Sequence, residues 1–357
     1  MDNTTKTFFS LVTIDSPSGE EKNVSEWLQK WLDNHDYSWK IDEVGNLVAI
    51  PKSVEPLYAF GSHMDTVEPG RGIKPIIKDD IIQTDGTTIL GADNKASIAA
   101  QLTAIEEYKA KHGKYPPVEL LFTVKEESGG GAEFFKASWL KSSKCFIFDY
   151  SKSFGKIVKA SPFIINFVIA LEGKSSHASR PEDGINSLIP TGIDIIRSIP
   201  VGRSDEGKTT INVGLIKSGS GVNVIPKFTE IYGEIRSLNK DYFTKHLKDI
   251  ETKATEIANK NNVKISFNTN GYCGGYEFSD DDLLIGQIKS IYQSLGIETE
   301  IVSNTSVSDA NSLNDIGIKT INMSESVENP HTPEERISVK NLNRLKEIML
   351  NFLENIK

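Results

Sequence analysis

Between about residues 162 and 268 the chain carries a self-contained succession of strand and helix signals unlike the segments on either side. An alternating run over 163–171 reads as a strand. A helical segment at 186–198, strands near 210–216 and 227–235, a helix over about 240–259 and a strand at 263–267 follow. Strand, helix, strand, strand, helix, strand is the ferredoxin-like order. The flanking segments alternate strands and helices differently. Val24, Trp27, Leu28, Trp31 and Leu32 recur with helical period behind Ser18 and Glu21, which have capping-box spacing. Strand-like runs lie at 38–42, 47–50 and 57–60, and Ile98, Leu102 and Ile105 mark a helix. The nearly continuous apolar run 118–124 suits a buried strand, and a helix near 281–295 and a strand near 319–323 complete the pattern. Such alternation predicts an α/β sandwich. At 357 residues the chain is long for one core. The expected organisation is a discontinuous larger domain, 1–161 and 269–357, interrupted by a smaller one, 162–268.

A formal net charge of −9 argues against a nucleic-acid or anionic-membrane binder, because phosphate contacts need clustered Lys and Arg. Small-molecule or peptide chemistry fits better. Cys145 and Cys273 lie in unrelated contexts and form no Cys-x-x-Cys pair, which suggests a reduced setting. The first residues lack a basic stretch followed by a sustained apolar one, and no segment is apolar enough to span a bilayer. A cytoplasmic protein is expected.

Five short islands along the larger domain each offer a metal ligand: Gly61-Ser62-His63-Met64-Asp65, Gly91-Ala92-Asp93-Asn94-Lys95, Lys125-Glu126-Glu127, Phe148-Asp149-Tyr150 and Asn329-Pro330-His331. Histidines and carboxylates just past apolar runs match the ligand set of a hydrolytic zinc site. A pair of metals would need one shared carboxylate, and Asp93 is the natural candidate, since the other islands divide two and two around it. His63 and Asp65 alternate to the same side of a strand end, so Asp65 can hold the imidazole and fix its tautomer. Taken alone, His63-Met64-Asp65 reads as a turn and Asp93 as a helix N-cap. The adjacent pair Glu126-Glu127 precedes Ser128-Gly129-Gly130-Gly131 and sits on a permissive backbone. One of the two can bind metal while the other takes a proton from water; the plain alternative is a solvated acidic turn. Asp149 ends a strand, where a charge is poorly placed unless it reaches a ligand or the surface. His331 lies in a stiff loop between Pro330 and Thr332-Pro333. His35, His112 and His246 sit in polar contexts and read as solvent-facing without a role.

Taken in order, His-Met-Asp-Thr-Val, Gly-Ala-Asp-Asn-Lys-Ala, Glu-Glu-Ser-Gly, a strand-ending Asp and a late His resemble the dinuclear zinc exopeptidases of the peptidase T (tripeptide aminopeptidase) type. The similarity spans nearly the whole chain, and residues 84–96 look like that group's version of the bridging-Asp motif. The resemblance implies that His63 and Asp149 bind one zinc and Glu127 and His331 the other, with Asp93 bridging. Glu126 would be the general base and Asp65 the carboxylate behind His63. Two Zn2+ per chain are implied, with Co2+ or Mn2+ as possible substitutes. Asp rather than Glu at position 149 accompanies aminopeptidases and dipeptidases in this group, whereas carboxypeptidases and deacylases tend to carry Glu, which favours a peptidase, with short peptides as the implied substrates.

The inserted segment resembles the group's lid and dimerisation domain. Ser175-Ser176-His177-Ala178-Ser179-Arg180-Pro181 is similar to the motif whose His reaches a partner subunit's site, where it would stabilise an oxyanion; the plain alternative is a solvent-facing loop His. Asn223 and Arg236 resemble substrate-side positions, and the planar fork of Arg236 suits a peptide carboxylate. Ser308-Asp309-Ala310-Asn311 resembles a substrate-facing segment, with Ser306-Val307 where the group has glycines; Asp309 reads equally as a turn or helix cap. The implied protein is a homodimeric exopeptidase. Related alternatives are a carboxypeptidase, a dipeptidase or an amide deacylase, and from another class a non-catalytic metal- or peptide-binding homologue.

Overall fold

The structure is a computed structural model and describes residues 1–356. The chain divides into two compact units, Met1–Lys159 with Phe278–Lys357, and Ala160–Glu277. The inserted segment is therefore longer than expected, chiefly at its end. Strand Lys264–Cys273 continues well past residue 268, pairing with Phe163–Glu172 from Lys264↔Glu172 to Cys273↔Ile164. Its exposed Asn268 and Asn270 carry little strand signal of their own, so the pairing partner and not local propensity sets its length.

In the larger unit four parallel strands lie side by side in the order Val118–Thr123, Tyr58–His63, Lys144–Tyr150 and Lys319–Ser324. Antiparallel strands Leu47–Pro51 and Tyr37–Ile41 extend one side, and Lys156–Ser161 pairs antiparallel on the other. The first two parallel strands are buried throughout, as expected of strands covered on both faces. Helix Ala92–His112 is buried over most of its surface and packs against Asn3–Val12 and Val339–Asn355. In Val339–Asn355 the residues Leu342, Leu345, Ile348, Met349, Phe352 and Leu353 form one buried stripe at helical spacing. Phe352 meets the rings of Phe146 and Phe148 with centroids 5.1 and 5.5 Å apart, and burial of one such side chain contributes about 1.5–3 kcal/mol.

One expected cap does not form. Helix Lys22–Asp33 starts without a side-chain cap bond, because the Ser18 hydroxyl donates instead to Asp65 Oδ2 at 2.6 Å. Glu21 Oε1 accepts the amides of Gly19 and Lys125 at 2.7 and 3.0 Å. Both residues of the supposed capping box thus brace loops beside the strand ends.

The smaller unit holds an antiparallel sheet in the order Gly202–Ser204, Thr209–Ser218, Phe228–Ser237, Phe163–Glu172, Lys264–Cys273. Without its short edge strand this is the ferredoxin-like order. Phe167, Ile169, Ile231 and Ile235 pack with Ile195 and with Phe243, Ile250 and Ala254 of helix Lys240–Lys260. The helix expected over 186–198 is shortened to Ile193–Ser198. Pro190 lacks an amide hydrogen, and Ile189 before it is extended (φ −122°, ψ 121°), so the preceding residues form an irregular turn. No described helix is long and apolar enough to cross a membrane.

Candidate metal centre

Parallel strands with adjoining C-terminal ends bring sequence-distant side chains to one place, the usual position of a site in an open α/β sheet. His63 is the last residue of its strand, Glu126 and Glu127 follow Val118–Thr123, Asp149 is the penultimate residue of Lys144–Tyr150, and Asp93 stands at the start of helix Ala92–His112. His331 lies in the loop after Lys319–Ser324. All five expected ligands converge. Asp93 Oδ1 is 3.1 Å from His63 Nε2, which is 3.7 Å from Asp149 Oδ1. Asp93 Oδ2 is 3.4 Å from His331 Nε2, which is 2.9 Å from Glu127 Oε1. The two oxygens of Asp93 therefore face two separate His–carboxylate pairs.

The local backbone explains how each group is held. His63 Nδ1 donates to the Asp65 carbonyl at 3.0 Å and lies 3.3 Å from Asp65 Oδ1, leaving Nε2 directed at the carboxylates. Asp65 does more than orient the ring, because Oδ1 accepts the Glu126 amide at 3.0 Å and Oδ2 the Glu127 amide at 3.1 Å. The Glu126-Glu127 turn begins at Lys125, whose φ of 53° is left-handed, and closes where Gly131 passes Val124 so tightly that a Cβ would strike the Val124 carbonyl oxygen. A glycine is obligatory there. The Asp149 amide donates to Asn322 Oδ1 at 3.0 Å. His331 itself adopts φ 62°, an uncommon conformation for a non-glycine residue and of the kind that gathers at functional sites.

Electrostatics reflects this crowding. Burial works against a charged His63, yet its bonds with Asp149, Asp65 and Asp93 hold the imidazole well above its ordinary pKa. Asp93 is likewise buried, but the bonds from His331 and His63 prevail and hold it below the usual carboxylate range. Burial, then the neighbouring Asp93, push Asp149 up to about 8, and burial followed by Asp149 raises Glu126 well above normal. His331 rises to about 10 through its bonds to Asp93 and Glu127. None of these carboxylates has a lysine or arginine in ion-pair range among the described residues. Oxygen and imidazole donors collected this densely, with no lysine or arginine paired to them among the described residues, fit a pair of divalent cations such as Zn2+, Co2+ or Mn2+. A cavity of about 450 Å³ opens over Asp93, Glu126, Glu127, Asp149 and His331.

Two carboxylates at the centre carry no distinctive local signal in the sequence. Glu335 is buried and accepts three backbone amides, those of Leu90 and Gly91 on Oε2 (2.9 and 2.7 Å) and that of Asp93 on Oε1 (3.0 Å). Burial lifts it to about 7 against the pull of these bonds. Glu325 is fully buried beside Asp93 and Asp149. In sequence both sit in short acidic stretches that look like solvated turns. Their position next to the Asp93 loop is what could have marked them.

The remaining expected residues are placed differently. Asp309 begins helix Asp309–Asp315, is capped by Ser308, and accepts the Thr123 hydroxyl; burial pushes it up to about 6. Asn311 is fully buried and closes the capping box by accepting the Ser308 amide at 3.1 Å. Neither lines the cavity, whose nearby wall comes instead from Asn304, Thr305, Ser306 and Val307. Within the smaller unit His177 is exposed, and its Nδ1 accepts the Ser179 amide at 3.2 Å, so the hydrogen is carried on Nε2. The Asn223 carbonyl accepts the Ala178 amide at 2.9 Å, which joins these two loops. Arg236 spends its fork on Glu234, with Nε 2.6 Å from Oε1 and an Nη 3.0 Å from Oε2. His35 and His246 are mostly buried rather than solvent-facing: His35 stacks on Trp31 at 3.8 Å, and His246 bonds Asp205 at 2.8 Å.

The sequence pattern of peptidase family M20/M25/M40 matches residues 59–355. The fold is similar to that of aminopeptidase PepT from Bacillus cereus, with a TM-score of 0.91 and 30% identity over 99% of this chain and 98% of that one. A tripeptidase from Staphylococcus aureus superposes with a TM-score of 0.90 and 28% identity, covering 99% of this chain and 97% of that one. A probable carboxypeptidase of Talaromyces marneffei is 30% identical over 73% of this chain and 66% of that protein.

Proposed function

The chain belongs to the M20/M25/M40 family of metallopeptidases, and from that premise we propose that it is a cytoplasmic, dinuclear exopeptidase that removes a terminal residue from short peptides, acting as a peptidase T-like aminopeptidase. The observation that carries this reading is the division of the Asp93 oxygens between His63 with Asp149 and His331 with Glu127. Bound there, two zinc ions would polarise a peptide carbonyl and acidify a water molecule near neutral pH.

The chain's own groups do the rest. Glu126 has a carboxylate at the cavity and a backbone fixed by Asp65, and takes the proton from the attacking water and delivers it to the leaving amine. Asp65 keeps His63 in the tautomer that presents Nε2, and Glu335 clamps the loop that presents Asp93. His177 is exposed and engages Ser179 through Nδ1 and not Nε2, as suits a donor to a developing oxyanion in a neighbouring subunit, and the active form is a homodimer assembled through the smaller unit. Asn223, joined to the His177 loop, contacts the substrate beside it.

The likeness to PepT and to the tripeptidase supports removal from the amino end. A carboxypeptidase is the second reading, favoured by the name of the fungal relative. Free amino acid released from matched di-, tri- and tetrapeptides with free or blocked termini decides between them. An aminopeptidase ignores a C-terminal amide and is stopped by N-acetylation, and the reverse result selects the carboxypeptidase.

A further inference from the structure

Glu325 directly follows strand Lys319–Ser324 and is fully buried, yet its hydrogen-bond partners are two neutral donors, the Asn94 amide at 3.1 Å and the Ser151 hydroxyl at 3.3 Å. A buried carboxylate without a cation is costly. One oxygen each from Asp93, Asp149 and Glu325 lie within 4.8 Å of one another, close enough to meet on a single ion. Buried His63 reaches two of these three carboxylates, with Nε2 3.1 Å from Asp93 Oδ1 and 3.7 Å from Asp149 Oδ1. The Asn94 side chain that binds Glu325 is also fully buried, and its Oδ1 has no hydrogen-bond partner among the described residues. An unpaired polar atom here is a separate sign that the protein chain alone does not complete this cluster.

We propose that Glu325 is a further protein ligand at the metal position of His63, Asp93 and Asp149, an inference that rests on the dinuclear reading above. The two positions then differ in kind. The first then draws one imidazole and three carboxylates from the chain, whereas Glu127, His331 and Asp93 supply only three protein ligands at the second and leave more room there for water and substrate. The first also gathers more negative charge. Its ion should be the tighter one, and Glu325 should be the reason.

The test uses the full-length protein stripped by a chelator and titrated with Co2+ alone, with retained metal measured against a competing chelator and visible absorption recorded at each step. The wild type should hold one ion at least about ten-fold more tightly than the other. Glu325→Gln should weaken the tight ion by more than the roughly ten- to a hundred-fold that loss of an outer partner costs and should alter its absorption, and Glu325→Asp should fall between. Glu127→Gln should affect the other ion. Two ions held with wild-type affinity and unchanged absorption in both Glu325 variants would overturn the proposal and leave Glu325 as a protonated neighbour of Asp149. Failure of both stripped variants to fold, where the stripped wild type stays folded, would assign Glu325 to packing and overturn it equally. A wild type that binds fewer than two ions refutes the dinuclear reading itself, a different outcome from either of these.

Discussion

Asp65 Oδ1 accepts the backbone amide of Glu126 at 3.0 Å, so the carboxylate behind His63 also fixes the turn that carries the candidate base. With the Glu127 amide and the Ser18 hydroxyl on Oδ2, a single side chain sets the relation of a ligand from each metal position to the base. Asp65→Asn keeps the shape but turns one acceptor into a donor facing a donor. Metal affinity is expected to fall about 10–100-fold, measured by metal retention on dialysis, with the circular dichroism spectrum unchanged. Wild-type retention would show that the backbone holds the turn unaided.

Glu126→Gln should retain both metals and lose about two to four powers of ten in turnover, because proton transfer is removed and no ligand is. Glu127→Gln should lose metal first. Peptide hydrolysis at the parent rate by the Glu126 variant would eliminate it as the base.

Stripping the protein with a chelator should abolish hydrolysis, and Zn2+ or Co2+ should restore it as occupancy approaches two ions per chain. Elemental analysis alongside activity checks this. A fully active protein with one ion or none would take Asp93 out of its bridging role.

Glu335→Ala would strand the amides of Leu90, Gly91 and Asp93 inside the protein. Each buried donor without a partner costs about 1–3 kcal/mol, so the variant should unfold at markedly lower denaturant concentration even with metal absent. An unshifted midpoint would mean that water reaches the loop.

For the proposed dimer, His177→Ala and Glu126→Gln chains should each be nearly inactive alone. In a mixed dimer one of the two shared sites would contain both intact residues, so activity should return when the chains are mixed and exchange. Inactivity of verified mixed dimers would place His177 in its own subunit's chemistry or outside it.

The convergence of His63, Glu126-Glu127 and Asp149 was legible because each of these follows an apolar strand. Asp93 needed the company of the others, since alone it reads as a cap. Glu325 and Glu335 were not legible, because their burial is created by loops more than two hundred residues away in sequence, at Asn94 and Leu90–Asp93. Ser18 and Glu21 failed in the opposite sense. Their spacing satisfied a local rule, but Asp65 and the Lys125 amide, both distant in sequence, drew them elsewhere. The end of strand Lys264–Cys273 was hidden for a similar reason, its exposed asparagines being held by pairing alone.

The chain leaves the larger unit at Lys159 and returns at Phe278, whose amide donates to the Lys159 carbonyl at 2.8 Å. An excursion of more than a hundred residues thus begins and ends at hydrogen-bonded neighbours, the geometry of a hairpin whose tip has been replaced by a domain. Closing so wide a loop costs only logarithmically more than closing a short one. The hairpin is therefore a port, where a segment of another length or shape can be joined at little further entropic cost.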